Sequence, residues 1–174
     1  MPATYQAPMR GDDKSKDRTV SQSTQSNMST RNTTVRQLID GKGGAVFSIR
    51  PHDTISTAVA ALRDKRIGAL LVTDAGGALQ GILSERDIVR KLAETPGQTL
   101  PQTVEENMTS NVVTCSPDDT LVEVLRRMTE GKFRHIPVVD DGKLSGMVTI
   151  GDVVNYRLKE LEHEALQLKQ MIVG

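Results

Sequence analysis

An internal duplication constrains the fold of this chain more than any other feature of its sequence. The segment GILSERDIV, residues 81–89, and the segment GMVTIGDVV, residues 146–154, share a glycine, two apolar residues, a hydroxyl, two variable positions, an aspartate and two β-branched residues. The similarity extends back to Pro51 and Pro117, where the offset is 66 instead of 65, and one deletion in a turn (DAGG against DDG) accounts for the change. A chain that repeats a unit in this way is expected to build the same supersecondary structure twice.

Each copy is predicted to fold as a β-α-β-β-α unit. A short strand ends at a proline, which cannot donate to a ladder, and an Asp-Thr pair then caps a helix with apolar residues at helical spacing. Two strands joined by an Asp/Gly turn follow, and a second helix begins directly after a hydroxyl residue. The predicted strands are 46–49, Ala69–Thr73 and one ending at Leu83 in the first copy, and 112–115, 136–139 and one ending at Val148 in the second. One unit alone leaves its sheet half covered, so we expect an α/β (α+β) fold in which the two repeats pack sheet to sheet with pseudo-twofold symmetry.

The sequence divides into four segments. Residues 1–33 are polar and rich in serine and threonine, and such a segment cannot bury enough apolar surface to offset its ordering entropy, so we predict a disordered tail. Residues 34–98 form the first repeat, residues 99–157 the second, and residues 158–174 a C-terminal helical extension.

Composition excludes several classes of partner. Lysine plus arginine (22) equals aspartate plus glutamate (22), so no basic field attracts nucleic acid or anionic lipid, and four aromatic residues are too few for stacking on single-stranded nucleic acid. No apolar run approaches the roughly 20 residues that span a bilayer. A single cysteine fits a reducing compartment, and the N-terminus lacks an apolar secretory core. We therefore expect a cytoplasmic protein with no membrane or nucleic-acid partner.

The duplicated hydroxyl-x-x-Asp step is the strongest candidate for chemistry. Ser84 and Thr149 stand where a strand ends and a helix begins, where free backbone N–H groups and the helix dipole favour an anion. Asp87 and Asp152, three residues on, each offer two acceptor oxygens suited to the cis-diol of a ribose. The same pattern is close to a capping box, which needs no ligand, so the residues alone allow both interpretations.

At this point the sequence resembles a known family. The duplicated unit, the segment RHIPVVDDGKLSGMVTIGD and the linker VEENMTSNVVTCSPDDT are similar to a tandem pair of CBS (cystathionine β-synthase) domains, a Bateman module, over about residues 34 to 157. The resemblance implies a regulatory, non-enzymatic module. It also implies that adenine nucleotides such as AMP, ADP, ATP or NAD bind in clefts between the repeats, as regulatory ligands and not as catalytic cofactors.

The resemblance assigns roles to further residues. Basic residues at the place of Arg134 and His135 often reach nucleotide phosphates in the family, although a solvated strand edge is the alternative here. Arg86 is either a second phosphate contact or a surface residue of the helix start. The adenine is expected near two segments, one containing Gly44 and Ala45 and the other Ile136 and Pro137. Because Gly68 and Ala69 replace Arg134 and His135 in the first repeat, we expect the two clefts to differ in affinity.

Other polar residues give little support for catalysis or metal binding. Cys115 lies in a predicted strand and is expected to be a buried, inert thiol. His52 and His163 have no second ligand at metal spacing, and we expect both to face solvent. Two functions remain: a nucleotide-sensing module that signals energy or redox state to an unknown partner, and a structural dimerisation or adaptor module whose clefts are empty.

The C-terminal segment carries a heptad pattern. Apolar residues recur at spacings of 4, 3, 4, 3 and 4, and charged or amide residues occupy the other faces. The seam residues are Val154, Leu158, Leu161, Ala165, Leu168 and Ile172. A helix folded back on its own module would explain the pattern, but a lone helix of this length is marginal in water and needs a partner. We therefore predict a homodimer, which the resemblance also implies.

Overall fold

A computed structural model describes residues 33–43 and 45–173. Residues 1–32 of the predicted disordered tail, and Gly44, lie outside the described residues. The elements, in chain order, are α1 (Val35–Lys42), β1 (Ser48–Ile49), α2 (Ile55–Lys65), β2 (Ala69–Thr73), β3 (Leu79–Ser84), α3 (Glu85–Glu94), α4 (Val104–Asn107), α5 (Leu121–Gly131), β4 (His135–Asp140), β5 (Lys143–Thr149) and α6 (Ile150–Val173). The predicted α/β architecture of two β-α-β-β-α repeats is confirmed.

The two repeats form their hairpins in the same register. The strands β2 and β3 pair antiparallel with Ala69 opposite Ser84, and β4 and β5 pair antiparallel with His135 opposite Thr149. Each of these pairs therefore places the hydroxyl that starts a helix beside the first residue of the preceding strand. This register fixes where the two hydroxyl-x-x-Asp steps stand.

The first strand of the second repeat is shorter than predicted. In the first repeat β1 pairs in parallel with β2, and the N–H of Leu71 donates to the carbonyl of Phe47 at 3.1 Å. Pro137 stands at the position matching Leu71 and has no N–H to donate. The predicted strand at 112–115 is accordingly reduced to a single parallel bridge between Cys115 and Val138.

Each repeat is completed by a helix that precedes the other repeat in sequence. Val35 of α1 is fully buried in the core of the second repeat, and Val104 of α4 is fully buried in the core of the first. The boundaries drawn from the duplication divide the sequence into two repeats, but each hydrophobic core contains residues from both sides of the boundary.

Matching backbone hydrogen bonds hold these exchanged helices. The N–H of Val35 donates to the carbonyl of Asp119 at 2.9 Å, and the N–H of Val104 donates to the carbonyl of Asp53 at 2.8 Å. The pairing is reciprocal, because Thr34 bridges Thr120 in the same way as Thr103 bridges Thr54. Two equivalent sets of contacts are what the predicted pseudo-twofold symmetry requires.

Truncating either buried valine tests this interlocked core. We expect Val35→Ala and Val104→Ala each to lower the free energy of unfolding by about 1–3 kcal/mol, because each removes buried methyl groups from a closed site. Urea denaturation followed by circular dichroism measures the loss. Val89→Ala is the matched control, because Val89 is 64% exposed and its truncation should change stability by less than about 0.5 kcal/mol. A result in which Val35→Ala behaved like the control would contradict the packing of α1 on the second repeat.

The last helix extends beyond the module. In its first two turns Val153 is buried, and Ile150 and Tyr156 pack on the second core. From Leu158 onward its apolar side chains are exposed, so the seam does not fold back on the described part of the chain. No helix among the described residues is both long and apolar enough to span a bilayer.

Candidate functional site

A cavity of about 350 Å³ lies between the two repeats at the N-terminus of α3. We call it the first cleft. Four segments line it: Gly68 before β2, the β3–α3 junction together with the first two turns of α3, linker residues between 109 and 113, and residues 131–135 before and at the start of β4. One repeat thus supplies a helix start and the other supplies the loop that enters its central strand.

Ser84 and Asp87 are held in a capping box at this cleft. The N–H and hydroxyl of Ser84 donate to Oδ2 of Asp87 at 3.0 and 2.6 Å, and the N–H of Asp87 donates back to Oγ of Ser84 at 3.3 Å. Within the described part of the chain Oδ1 of Asp87 accepts no hydrogen bond. The capping interpretation is therefore correct structurally, and it leaves one carboxylate oxygen and a fixed orientation for a ligand.

Basic side chains outnumber acidic ones around the first cleft. Its lining includes the cations Arg86, Arg90, Lys132 and Arg134 and the acids Glu85 and Asp87. Such an excess of positive charge in a concave site favours an anionic ligand group. Arg90 and Lys132 were not singled out from the sequence. The sequence could have indicated Arg90 as a site residue, because it follows Asp87 by three positions and so lies on the same face of α3.

Arg86 links the two repeats across the cleft. Its Nη1 donates to the backbone carbonyl of Lys132 at 2.9 Å. Arg86 is exposed at the start of α3, so both interpretations open from the sequence, a surface residue and a phosphate contact, are compatible with this hydrogen bond. A guanidinium with one donor engaged in this way retains other donors for an anion.

His135 of the second repeat lies next to Gly68 of the first. A Cβ built on Gly68 would stand 3.3 Å from ring atoms of His135 and 3.8 Å from the carboxylate of Glu85. Burial lowers the pKa of His135, an effect that the negative charges of Glu85 and Asp152 oppose. The absence of a side chain at Gly68 in the first repeat therefore makes room for the imidazole of His135 in the second. Aligning the two repeats showed only that their residues differ at these positions, and it did not show that Gly68 and His135 are neighbours.

The second hydroxyl-x-x-Asp step has the same backbone geometry but a different neighbour. The N–H of Thr149 donates to Oδ2 of Asp152 at 2.9 Å, and the N–H of Asp152 donates to Oγ1 of Thr149 at 3.1 Å. Nζ of Lys42, at the end of α1, lies 2.6 Å from the same Oδ2. Sequence reasoning missed Lys42, because nothing in the repeat alignment pairs α1 with the second repeat.

The remaining predicted site residues lie elsewhere. Ile136 is fully buried in the second core and Pro137 is also buried, so neither presents its side chain to the first cleft. Ala45 is exposed, next to the undescribed Gly44. The lining of the first cleft thus contains Ser84, Arg86, Asp87, Arg134 and His135, and it does not contain Ala45, Ile136, Pro137, Thr149 or Asp152.

Cys115 has the environment of a structural thiol. It is 4% exposed, and burial raises the pKa of its thiol to about 12. A folded-state pKa above the unfolded value near 9 means that this thiol contributes stability below about pH 9, which is lost as the pH rises toward 12. Among the described residues no cluster of His, Cys, Asp or Glu could hold a metal ion.

The interlocked β-α-β-β-α repeats with a polar cleft between them define a tandem-repeat module, and comparison with known proteins identifies its family. The model of the CBS domain matches the chain twice, over residues 44–94 and 103–159. The chain belongs to the CBS-domain family.

Individual relatives agree with this assignment. A mitochondrial CBS domain-containing protein of Arabidopsis thaliana, CBSX3, is 33% identical over 82% of this chain and 73% of its own length. The crystal structure of the CBS-domain containing protein ATU1752 from Agrobacterium tumefaciens superposes with a TM-score of 0.70 at 42% identity, covering 72% of this chain and 99% of that one. The structure of CBSX2, determined in complex with AMP, superposes with a TM-score of 0.61 at 26% identity, covering 73% of this chain and 97% of that one.

Proposed function

We propose that this protein is a non-enzymatic regulatory module that binds an adenine nucleotide, AMP, ADP, ATP or NAD, in clefts between its repeats. The observation that carries the proposal is the first cleft, where a fixed carboxylate, Asp87, stands among four cationic side chains. The carboxylate suits a ribose diol, and the cations suit phosphate. The AMP complex of the related CBSX2 supports the same class of ligand.

Within the first cleft, different residues are suited to bind different parts of the ligand. The N-terminus of α3 lies at the cleft, and its helix dipole favours an anion there, although the N–H and hydroxyl of Ser84 already donate to Asp87. Arg86 and Arg134 approach from opposite repeats, so a phosphate between them would draw the repeats together. A ligand that changes the spacing of two repeats gives the module a means of signalling to a partner, which we propose as its regulatory output.

Calorimetry with AMP and adenosine tests this function. We expect AMP to bind the wild-type protein and raise its melting temperature, and we expect Arg134→Ala to weaken AMP binding about 10- to 150-fold, the range of a lost charge-assisted hydrogen bond, with little effect on adenosine. Arg126→Ala, on the exposed face of α5 outside the cleft lining, is the control for loss of one positive charge. No binding of AMP to the wild-type protein would refute the function, and equal losses for both ligands would remove the phosphate role of Arg134.

We also propose that the chain forms a homodimer through α6. The seam residues Leu158, Leu161 and Leu168 are 52%, 44% and 52% exposed, and Ile172 at the helix end is 83% exposed. A second copy of the same helix presents the same seam, and coiled-coil pairing would cover both.

The structural adaptor function, with empty clefts, shares this dimer and differs only in failing to bind a nucleotide. The cytoplasmic location stays a prediction.

A further inference from the structure

The two helix starts are built alike, but only one of their aspartates is ion-paired. Oδ2 of Asp152 lies 2.6 Å from Nζ of Lys42, which also donates to the backbone carbonyl of Met147 at 3.3 Å. Asp87 forms no ion pair with any described residue, although cationic side chains line its cleft. The pseudo-twofold symmetry of the repeats therefore breaks at the carboxylate that the proposed ligand would use.

Lys42 comes from an extra helical turn that has no counterpart in the other half of the chain. The helices α1 and α4 begin at equivalent places, after Thr34 and Thr103, but α1 has eight residues and α4 has four. The segment from Thr34 to Pro51 is three residues longer than the segment from Thr103 to Pro117. The added turn is what carries the ammonium to Asp152.

The pair competes directly with a diol. A cis-diol donates to carboxylate oxygens, and in Asp152 the oxygen Oδ2 accepts from the N–H of Thr149 and also from the ammonium of Lys42, a cation that Asp87 does not pair with among the described residues. The side chains of Lys42 and Asp152 are 38% and 19% exposed, so solvent reaches the contact and can replace it. An ion pair of this kind is weak enough to open and strong enough to bias binding.

We call the region around Thr149 and Asp152, which corresponds to the first cleft under the repeat symmetry, the second cleft. We propose that Lys42 is a latch that determines the affinity of this second cleft for its ligand. The latch holds Asp152 in the unliganded protein, and an adenosine-type ligand enters the second cleft only by displacing the ammonium. Asp87 of the first cleft has no ammonium or guanidinium paired to it within the described part of the chain, so this cleft fills at lower ligand concentration. This inference rests on the proposed nucleotide-binding function and adds the residue that makes the two clefts unequal.

Adenosine is the probe that isolates the latch. It carries the ribose diol but no phosphate, so removing Lys42 does not also remove an attraction for phosphate. The measurement is an NMR titration of a chain in which Asp87→Ala disables the first cleft, following the amide signals of residues 149–152. We expect Lys42→Met in this background to bind adenosine about three- to tenfold more tightly, and we expect Lys42→Met with Asp152→Ala to lose that gain. Lys143→Met, at the exposed first position of β5, is the matched control and should leave the affinity unchanged.

Salt dependence gives a second signature. Raising the salt from about 0.05 M to about 0.5 M screens the ion pair but not a neutral ligand, so adenosine affinity should rise when Lys42 is present and stay constant in Lys42→Met. Equal or weaker binding of adenosine to Lys42→Met, or binding to neither variant, would overturn the latch. AMP binding to the unsubstituted chain reports separately on the proposed function, so the two failures are distinguishable.

Discussion

Replacing Leu161 and Leu168 together by glutamate is expected to convert the protein from dimer to monomer. Both residues lie on the seam of α6 and are half exposed in the single chain, so in a paired coiled coil the two copies would bury four leucines. Burial of a leucine contributes about 1.5–3 kcal/mol, and a seam that also receives four carboxylates loses more than this. A loss of at least about 4 kcal/mol corresponds to roughly a thousandfold weaker association. Sedimentation equilibrium or light scattering at micromolar concentration measures the change in mass.

A different face of the same helix provides the control. Leu166 and Val173 are 59% and 79% exposed and lie about 100° or more from the seam, by the helical rotation per residue. Leu166→Glu with Val173→Glu makes the same change in charge and removes the same number of apolar side chains, and we expect this variant to remain dimeric. A wild-type monomer, or equal dissociation by both double variants, would refute the predicted seam.

The repeat pattern was sufficient to predict most of the fold. The hairpins, both helix starts at Ser84 and Thr149, and the continuous C-terminal helix follow from local turn and capping signals, which act within a few residues. The strand predicted at 46–49 is observed only at Ser48–Ile49, and the strand predicted at 112–115 is reduced to one bridge because Pro137, in the neighbouring strand, has no N–H to donate. Pro137 lies in β4, so the residues 112–115 by themselves do not show that their neighbouring strand lacks this donor.

The exchange of α1 and α4 between the repeats could not be read from periodicity. Each helix is short and precedes one repeat in sequence, yet its buried valine belongs to the core of the other repeat. Amphipathic spacing shows which face of a helix is buried, but it does not show which partner buries it. The ion pair between Lys42 and Asp152 depends on that choice of partner, and for this reason the sequence did not indicate it.

Within the candidate site, the sequence indicated which residues carry binding groups, but it did not indicate which residues surround them. The hydroxyl-x-x-Asp step predicted both a cap and a ligand group at Ser84 and Asp87, and the cap is observed in the structure. The resemblance suggested Arg134 and His135, which line the first cleft, and also Ile136 and Pro137, whose side chains are buried. The cleft lies at the start of β4, and the strand enters the core of the second repeat directly after His135, so the residues that follow are not among the cleft lining.

Asp87→Ala is expected to weaken AMP binding about 10- to 150-fold, the second largest effect that the structure predicts. The carboxylate stands at the helix start with one oxygen engaged in the capping box and the other available, so its removal costs a charge-assisted hydrogen bond to the ribose. Adenosine should lose as much affinity as AMP, because both carry the same diol. This distinguishes Asp87 from Arg134, whose removal should affect AMP alone. Calorimetry with both ligands measures the difference.

A loss of binding could also follow from a damaged helix start, and Glu123 separates the two causes. Glu123 forms the same capping box at α5, where its Oε2 accepts from the N–H and hydroxyl of Thr120 at 3.1 and 3.0 Å, and it lies outside the lining of the first cleft. We expect Glu123→Ala and Asp87→Ala to lower the melting temperature of the unliganded protein to a similar extent, since both remove a capping acceptor. Only Asp87→Ala should lose AMP. If both variants bound AMP as tightly as the wild type, Asp87 would be a helix cap and nothing more, and the repetition of its motif would reflect the folding of two equal repeats.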